Sequence, residues 1–458
     1  MIKKISSFLF LFSFFLNFSQ NKQVLYGFAE LPQTLLLNPG AETNYKFHFG
    51  VPLLSGFSTE FASSEAVLSD LFLSDGRAIN DKVSEVLNTL ETRDYIKINA
   101  QIEVLSGGYR YDNKTYLSFG FYDEIDALAY IPKDVIRLLN EGNAAYINRS
   151  FDLSQLLYKV DVIGVLHAGI TREINEKLTL GGRFKIYSSS LNVETSNNSG
   201  TFTTVNGSNN ILTHYLDNID IDLRTSGLVD TDNKYIDDPS TVIKNSFLGG
   251  NLGIGFDVGM TYKISKQLEF TGSLLDVGFI HHKSNIKNSF AKGSYVFEGI
   301  EFLYDPSNPP NYWADLDADF LEKVPRGDNQ DSYISWRPAK VNAALKYSFG
   351  ERRSTYCYDN TYKELYTNAF GIHIHTVFRA LSPQVELTGF YEKSFTDKLQ
   401  AKVTYTLDPY SLYNIGAGFS AQIGKINFYG MVDNIIQFSD IASANSISMQ
   451  LGINLIFN

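Results

Sequence analysis

Residues 446–457, SISMQLGINLIF, alternate apolar and polar side chains with a period of two. The same alternation runs through residues 96–104, 177–187 and 398–407. Alternation sustained over about ten residues is typical of a strand that faces lipid on one side and a polar lumen on the other. Strands of soluble sandwiches are usually about 5 or 6 residues long. The pattern therefore predicts a transmembrane barrel, and a large soluble barrel or β-solenoid is the competing interpretation.

The composition narrows the class of protein. The chain has 458 residues, of which 19% are charged, below the roughly 25% of an ordinary soluble domain. The formal net charge of -11 disfavours a nucleic-acid partner, which would require a basic face. Cys357 is the single cysteine, which excludes an intramolecular disulfide and every multi-cysteine metal site.

The first 19 residues are predicted to be a secretory signal peptide that is removed. Lys3 and Lys4 precede an apolar stretch over residues 5–18, which is shorter than the about 20 residues of a membrane-spanning helix. We expect cleavage after Ser19, with Gln20 as the new N-terminus. An exported chain without spanning helices can cross an outer membrane only as a closed barrel, so we expect the outer membrane as the location.

The strand pattern predicts an all-β antiparallel barrel of about 14 strands, with 12 to 16 as the range. Short polar turns at residues 172–176, 263–266, 393–397 and 423–424 are typical of a periplasmic rim. The longest connection, residues 192–245, is interpreted as an external loop or partly folded cap. Helical spacing predicts loop helices at 79–90, 132–139 and 315–323. The sixteen candidate strands are 44–51, 57–64, 94–106, 108–121, 157–171, 177–194, 247–264, 267–281, 293–304, 333–350, 366–380, 383–394, 397–407, 411–423, 425–434 and 446–457.

The residues before the first strand are predicted to form a plug. Residues 20–43 show no sustained alternation and contain Pro32 and the triplet Asn38-Pro39-Gly40, which favour an irregular path. We therefore divide the chain into a signal peptide at 1–19, a plug or hatch segment at 20–43, and a barrel at 44–458.

Charges of both signs are predicted to point into the lumen. Mixed charges at close quarters favour salt-bridge networks over a wide pore, so we expect a blocked lumen. The apolar residues Leu399, Val403 and Tyr405 of one strand are expected to face lipid, whereas Gln400 faces the lumen. The predicted lumen-facing charges are Lys97, Glu103, Arg183, Lys185, Glu386, Lys398 and Lys402.

The C-terminal strand resembles the β-signal of outer-membrane barrels, with Gln450, Gly452, Leu455 and Phe457 at the signal positions. The resemblance implies that the barrel assembly machinery is a partner during insertion into outer-membrane lipid.

The whole mature chain resembles outer-membrane barrels of Bacteroidota, in particular a family of unknown function similar in style to FadL-type channels and to the PorV and PorP/SprF barrels of type IX secretion. In the FadL-type pattern an Asn-Pro-Ala follows a hatch that enters the lumen, and here Gly40 takes the third place.

Sites for chemistry are not indicated by the sequence. His373 and His375 lie two apart on one strand, where they could in principle ligate a metal, but lining the lumen is the simpler interpretation. Asp315, Asp317 and Asp319 resemble the start of a calcium loop that then lacks its later ligands. We expect no catalytic residue, no metal, no cofactor and no enzymatic activity.

Two functions follow from these expectations. The first is a FadL-like plugged channel for small hydrophobic solutes, by analogy of fold. The alternative is a non-transporting structural or partner barrel of a type IX secretion or surface-assembly complex, docked through the segment at 192–245.

Overall fold

The structure is a computed structural model that describes residues 22–28, 31–65, 67–196, 198–208, 212–230, 234–236, 238–299, 311–352 and 365–457. The predicted signal peptide, Gln20 and Cys357 lie outside the described residues. Among the helices of the described ranges, none is long and apolar enough to cross a membrane.

Antiparallel strands dominate the described chain. They are β1 (Phe47–Gly50), β2 (Phe57–Ser63), β3 (Tyr95–Arg110), β4 (Thr115–Tyr130), β5 (Ser150–Asp152), β6 (Tyr158–Asn175), β7 (Leu178–Thr195), β8 (Ser199–Asn206), β9 (Leu212–Ser226), β10 (Asn251–Lys263), β11 (Leu268–His282), β12 (Asn288–Phe297), β13 (Arg326–Asn329), β14 (Tyr333–Trp336), β15 (Lys340–Arg352), β16 (Leu365–Phe378), β17 (Pro383–Thr396), β18 (Leu399–Leu407), β19 (Asn414–Ile423), β20 (Ile426–Asp433) and β21 (Ser446–Phe457).

Fourteen strand positions close into one barrel, as the sequence predicts. β1 and β2 share one position because both pair with β3 and β21. β14 and β15 share another because both pair with β11. The ring closes where β1 meets the last strand, with Phe47 opposite Phe457. A closed ring leaves the wall without the open edges that lipid cannot solvate.

Three of the sixteen candidate strands are corrected by these pairings. The candidates at 44–51 and 57–64 are two pieces of a single wall position. The candidate at 293–304 is wrong as a wall strand, because β12 pairs with β9 and β13 outside the ring. Alternation alone could not reveal this, since it reports a two-faced strand and not the neighbours of that strand.

The period-two pattern sorts side chains between the outer surface and the lumen. On β18, Val403 and Tyr405 are 50% and 45% exposed, whereas Lys402 and Thr404 are each 1% exposed. On β10 the contrast between the faces is larger. Glycines occupy inward positions, whereas Phe256 and Val258 point outward and are exposed. The outer surface of the ring is accordingly apolar and the inner surface polar.

The two rims of the barrel differ. The turn rim carries the short connections at 111–114, 176–177, 264–267, 397–398 and 424–425, together with the start of β1 and the end of β21. The loop rim carries the connections that contain helices, as predicted, and also the short turn at 379–382. These helices are α2 (Leu68–Phe72), α3 (Ile79–Thr89), α4 (Lys133–Glu141), α5 (Pro239–Ser246) and α6 (Tyr312–Lys323), preceded in the chain by α1 (Lys22–Leu25).

A second sheet, called the cap, continues from the loop rim. Its strands follow the order β5, β8, β9, β12 and β13. The cap joins the wall where β9 pairs with the end of β7, from Asn192 opposite Ser226 to Thr195 opposite Leu223. The predicted loop at 192–245 therefore begins inside a wall strand and contains two cap strands.

Candidate functional site: lumen and cap

The N-terminal segment, residues 22–43, packs against the inward faces of the wall strands. It begins with α1 and includes a 3-10 helix at Pro32–Leu36, where the proline occupies a first-turn position. Val24 is 0% exposed and Leu31 is 1% exposed. Because the surrounding lumen is polar, these apolar side chains pack mainly with one another and with Tyr429 and Met431.

The predicted plug triplet lies against three neighbouring strands near the turn rim. The hydroxyl of Thr171 donates to the carbonyl oxygen of Pro39 at 2.6 Å. The hydroxyl of Thr261 donates to the carbonyl oxygen of Gly40 at 2.8 Å, and Asn38 Nδ2 donates to the carbonyl oxygen of Met260 at 3.2 Å. Each contact satisfies a backbone polar group that would otherwise lie unpaired in a buried site.

Glycines in the wall allow the backbone of the triplet to lie this close to the strands. Gly181 on β7 pairs with Gly259 on β10, and both face the triplet. A Cβ atom on Gly181 would overlap the carbonyl of Pro39 and lie 2.6 Å from the amide nitrogen of Gly40. The inward glycines therefore allow two backbones to touch, which is a known use of glycine in strands.

Gln33 joins the segment to both sides of the closing seam. Its Nε2 donates to Glu103 Oε2 on β3 at 2.9 Å, to the carbonyl oxygen of Ser55 at 3.0 Å and to Asn454 Oδ1 on β21 at 3.0 Å. Asn454 Nδ2 returns a bond to Gln33 Oε1 at 3.0 Å. Gln33 is 1% exposed, and its amide is fully used in this contact.

The start of the segment lies against the opposite wall. Lys402 Nζ donates to the carbonyl oxygen of Tyr26 at 2.7 Å and pairs with Glu392 at 3.0 Å. The Tyr26 ring stacks on His373, with centroids 4.1 Å apart and an interplanar angle of 4°. Between Tyr26 and Thr43 the segment thus contacts strands around most of the ring.

A layer of buried ion pairs fills the middle of the lumen. Lys185 Nζ lies 2.8 Å from Asp257 and 2.6 Å from Asp276. Arg337 Nη2 lies 2.8 Å from Glu124. Arg337 and Asp257 are 5% and 1% exposed. Buried pairs of this kind are expensive to separate, because each leaves an uncompensated charge behind.

The predicted lumen charges can now be placed. Lys97, Glu103, Arg183, Lys185, Glu386 and Lys402 are all buried inside the ring. Lys398 differs, because it lies in the turn between β17 and β18 and is exposed. The sequence alternation extends through Lys398, but pairing with β17 begins only at Leu399, so this residue belongs to the turn rim.

Several lumen residues were missed by the sequence analysis. Asp257 stands at an inward position of an otherwise glycine-rich strand, so extending the alternation through β10 would have found it. Asp276 gives no such signal, because it has a positive φ of 58°. It lies where the pairing of β10 with β11 shifts register between Phe256 and Val258. Such a bulge re-aims a side chain in a way that strict alternation does not predict.

The two histidines of β16 share one acceptor. His373 Nε2 and His375 Nδ1 lie 3.1 Å and 2.8 Å from Asn342 Oδ1. Within the described ranges no group of three or more His, Cys, Asp or Glu side chains is arranged to hold a metal ion. The pair is a hydrogen-bonded part of the lumen wall.

The residues of the predicted β-signal divide between the two faces of β21. Gln450 and Gly452 are buried inside the ring, and Gln450 Nε2 lies 3.4 Å from the hydroxyl of Tyr429. Leu455 and Phe457 are partly exposed on the other face. Phe457 ends the wall opposite Phe47.

An aromatic cleft of about 540 Å³ lies in the cap between its sheet and α6. His214 stands between Phe202 and Phe297, with ring centroids 5.7 Å and 5.9 Å away and nearly parallel planes. Trp313 of α6 lines the same cleft and is 75% exposed. Concave apolar sites of a few hundred Å³ suit small apolar ligands.

A second cavity of about 670 Å³ lies at the loop rim. Its lining combines Trp336, Phe378 and Leu381 with the charged Arg337 and Arg379. β14 pairs with β11 along one edge, and no described strand pairs with its other edge. The short turn 379–382 between β16 and β17 lies beside this edge. The wall therefore extends less far beyond the loop rim at this position.

A model described as a family of unknown function (DUF5723) matches residues 39–433. No curated protein matches the chain.

Among solved structures, a Pseudomonas aeruginosa FadL homologue is similar at 7% identity, with 96% of this chain and 98% of that chain covered and a TM-score of 0.44. The Ralstonia pickettii toluene transporter TbuX is similar at 9% identity, over 94% and 95% of the two chains, with a TM-score of 0.42. Similarity at this level assigns no function.

Proposed function

The chain belongs to the DUF5723 family, whose function is unknown, and we propose that it is an outer-membrane channel that takes up small hydrophobic solutes while its lumen stays plugged. The aromatic cleft of the cap carries this proposal. A ligand there would be held by apolar and aromatic faces, with His214, Asn143 and Asp317 as the polar groups of the lining.

An outer-membrane location is supported by the wall itself. Fourteen strand positions close into one ring, apart from the short edge of β14 at the loop rim, and their outward side chains are apolar. Lipid accepts such a surface, whereas water would not.

Passage straight through the lumen is disfavoured by what fills it. An apolar solute would have to displace the N-terminal segment and pass the ion pairs around Lys185 and Arg337. We propose instead that the solute moves from the cap cleft to the loop-rim cavity and leaves sideways past the unpaired edge of β14. Trp336 and Phe378 offer apolar contacts along that path.

The two tryptophans of the chain permit a direct test, because Trp313 lines the cap cleft and Trp336 lines the loop-rim cavity. In Trp336→Phe protein, Trp313 alone reports on the cleft, and in Trp313→Phe protein Trp336 alone reports on the rim. Bromobenzene, a heavy-atom quencher, should quench both saturably.

Phe297→Ala should weaken quenching of Trp313 about tenfold or more, as expected when a stacked aromatic contact is lost. Phe256→Ala on the outer surface is the matched control and should leave it unchanged. Linear quenching that is equal in all variants indicates mere partitioning into detergent and contradicts the proposal.

The second candidate, a partner barrel of a secretion or surface-assembly complex, is supported by the folded cap beyond the loop rim. Cross-linking in native membranes followed by mass spectrometry distinguishes the two. Stoichiometric capture of one protein through cap residues, with no saturable quenching, would favour this candidate.

A further inference from the structure

A polar cavity of about 50 Å³ lies inside the barrel near the loop rim, beside the loop-rim cavity, with which it shares Arg379. We call it the acidic cavity. Five carboxylates line it, from Glu60, Asp126, Glu386, Asp408 and Asp433, against three cationic side chains, from Lys97, Lys340 and Arg379. Among these described lining residues, negative charge is therefore in excess.

The three cations are already engaged. Lys97 Nζ lies 2.5 Å from Glu60, and Arg379 contacts both oxygens of Asp126 at 2.7 Å and 3.0 Å. Lys340 Nζ lies 2.7 Å from Asp276, which is outside the cavity lining. None of these contacts involves Glu386.

Glu386 is the group that needs a partner. It is 6% exposed, and no hydrogen bond or ion pair reaches its carboxylate from the described part of the chain. Lys97 lies within electrostatic range of it but directs its ammonium to Glu60. A buried carboxylate without a hydrogen-bonded counter-charge is strongly unfavourable.

Two uncharged acceptor atoms in the lining of the acidic cavity also lack a hydrogen-bond donor. Asn99 Nδ2 donates to Glu124 and Asp126, both at 3.2 Å, so the amide cannot be flipped without placing its oxygen against two carboxylates. Asn99 Oδ1 is then a buried acceptor without a partner, and Ser448 Oγ is also unpartnered. Both residues line the acidic cavity and are 5% and 4% exposed.

We propose that the acidic cavity binds an ammonium-type cation, with Glu386 as its counter-charge and Asn99 and Ser448 as hydrogen-bond acceptors. The volume admits only a few water-sized groups, since each needs roughly 10–15 Å³. An N–H donor fits better than a metal ion, because no described trio of acidic or histidine side chains converges on one point.

The cation that we propose is free ammonium or a small primary amine.

The test uses the full exported protein, purified in detergent, and its thermal unfolding midpoint. Midpoints are compared in ammonium, methylammonium and tetramethylammonium chloride at equal ionic strength. For a free cation, the midpoint should rise with the logarithm of ammonium or methylammonium concentration, since only the folded state binds it. Tetramethylammonium has no N–H donor and should give no rise.

Glu386→Gln should abolish this response. Glu392→Gln on the same strand, where the carboxylate has its own partner Lys402, should retain it. If Glu386→Gln does not fold, Ser448→Ala is the variant that tests the proposal. It should weaken the apparent ammonium affinity about tenfold, because one hydrogen bond to a charged group is lost.

The proposal is overturned if neither ammonium nor methylammonium raises the midpoint of the parent protein. It is overturned as well if Glu386→Gln responds to ammonium as the parent does.

Discussion

Gly181→Ala should detach the N-terminal segment from the wall while leaving the barrel folded. The new Cβ would overlap the Pro39 carbonyl and lie 2.6 Å from the Gly40 nitrogen. These are backbone atoms, which cannot rotate aside as a side chain can. The strand ladder is unaffected, because alanine keeps the backbone groups that pair with β6 and β10.

The size of the effect follows from the contacts that would be lost. Three hydrogen bonds hold the triplet, from Thr171, Thr261 and Asn38. At about 0.5–1.5 kcal/mol net for each bond, the total is about 1.5–4.5 kcal/mol. Since 1.4 kcal/mol is tenfold, the undocked population should rise about 10- to 1000-fold.

Planar-bilayer recording checks this prediction. The parent protein should show little steady conductance, Gly181→Ala should show frequent openings, and deletion of residues 20–40 should show more. Gly182→Ala is the matched control, because it is the next residue on the opposite face and its nearest atom would be 3.9 Å away. If Gly181→Ala conducts no more than Gly182→Ala, the segment does not close the lumen at this contact. Large, stable currents from the parent protein would contradict the plug altogether.

Three further predictions concern other parts of the chain. Val403→Arg should destabilise the barrel by about 2–4 kcal/mol in refolding into lipid vesicles, whereas Gln400→Arg on the other face should cost far less, and equal losses would contradict the assignment of faces. N-terminal sequencing of the outer-membrane fraction should begin at Gln20, and retention of Met1 would contradict export by cleavage. Hydrogen bonds from Lys82 and Arg77 hold the pKa of Asp75 below its usual range, so their stabilisation of the α2–α3 loop should be complete above about pH 4 and be lost only as pH falls through the lowered pKa. Hydrogen exchange in α3 should therefore be the same at pH 5 and 7, and Lys82→Met should raise it at both.

The wall strands could be predicted because the face on which each side chain lies follows from the alternation along its own strand. An outward Val403 and an inward Lys402 follow from period two once lipid is placed outside, and the helix at Ile79–Thr89 follows from its own spacing. The number of wall strands also followed, although β12 shows that alternation does not identify a strand's neighbours.

The arrangement inside the lumen was less accessible to sequence reasoning. The Asn38-Pro39-Gly40 triplet signals an irregular path, but its seat on Gly181 and Gly259 depends on residues more than a hundred positions away. Asp276 and its left-handed backbone arise from a register shift. The aromatic cleft requires β8, β9, β12 and α6 to meet, and no local pattern encodes that meeting.

The place of Gln33 has a consequence for the order of assembly. Its amide bridges Glu103 on β3 and Asn454 on β21, and β1 and β2 lie between these two strands. The residues on either side of that join are separated by nearly the whole chain, so the join has the highest loop-closure entropy in the molecule and should form last. Because Gln33 contacts both sides of this join, the N-terminal segment is expected to lie in the nascent sheet before the first and last strands meet. The segment that is exported first would then be fixed in the lumen by the strand that is exported last.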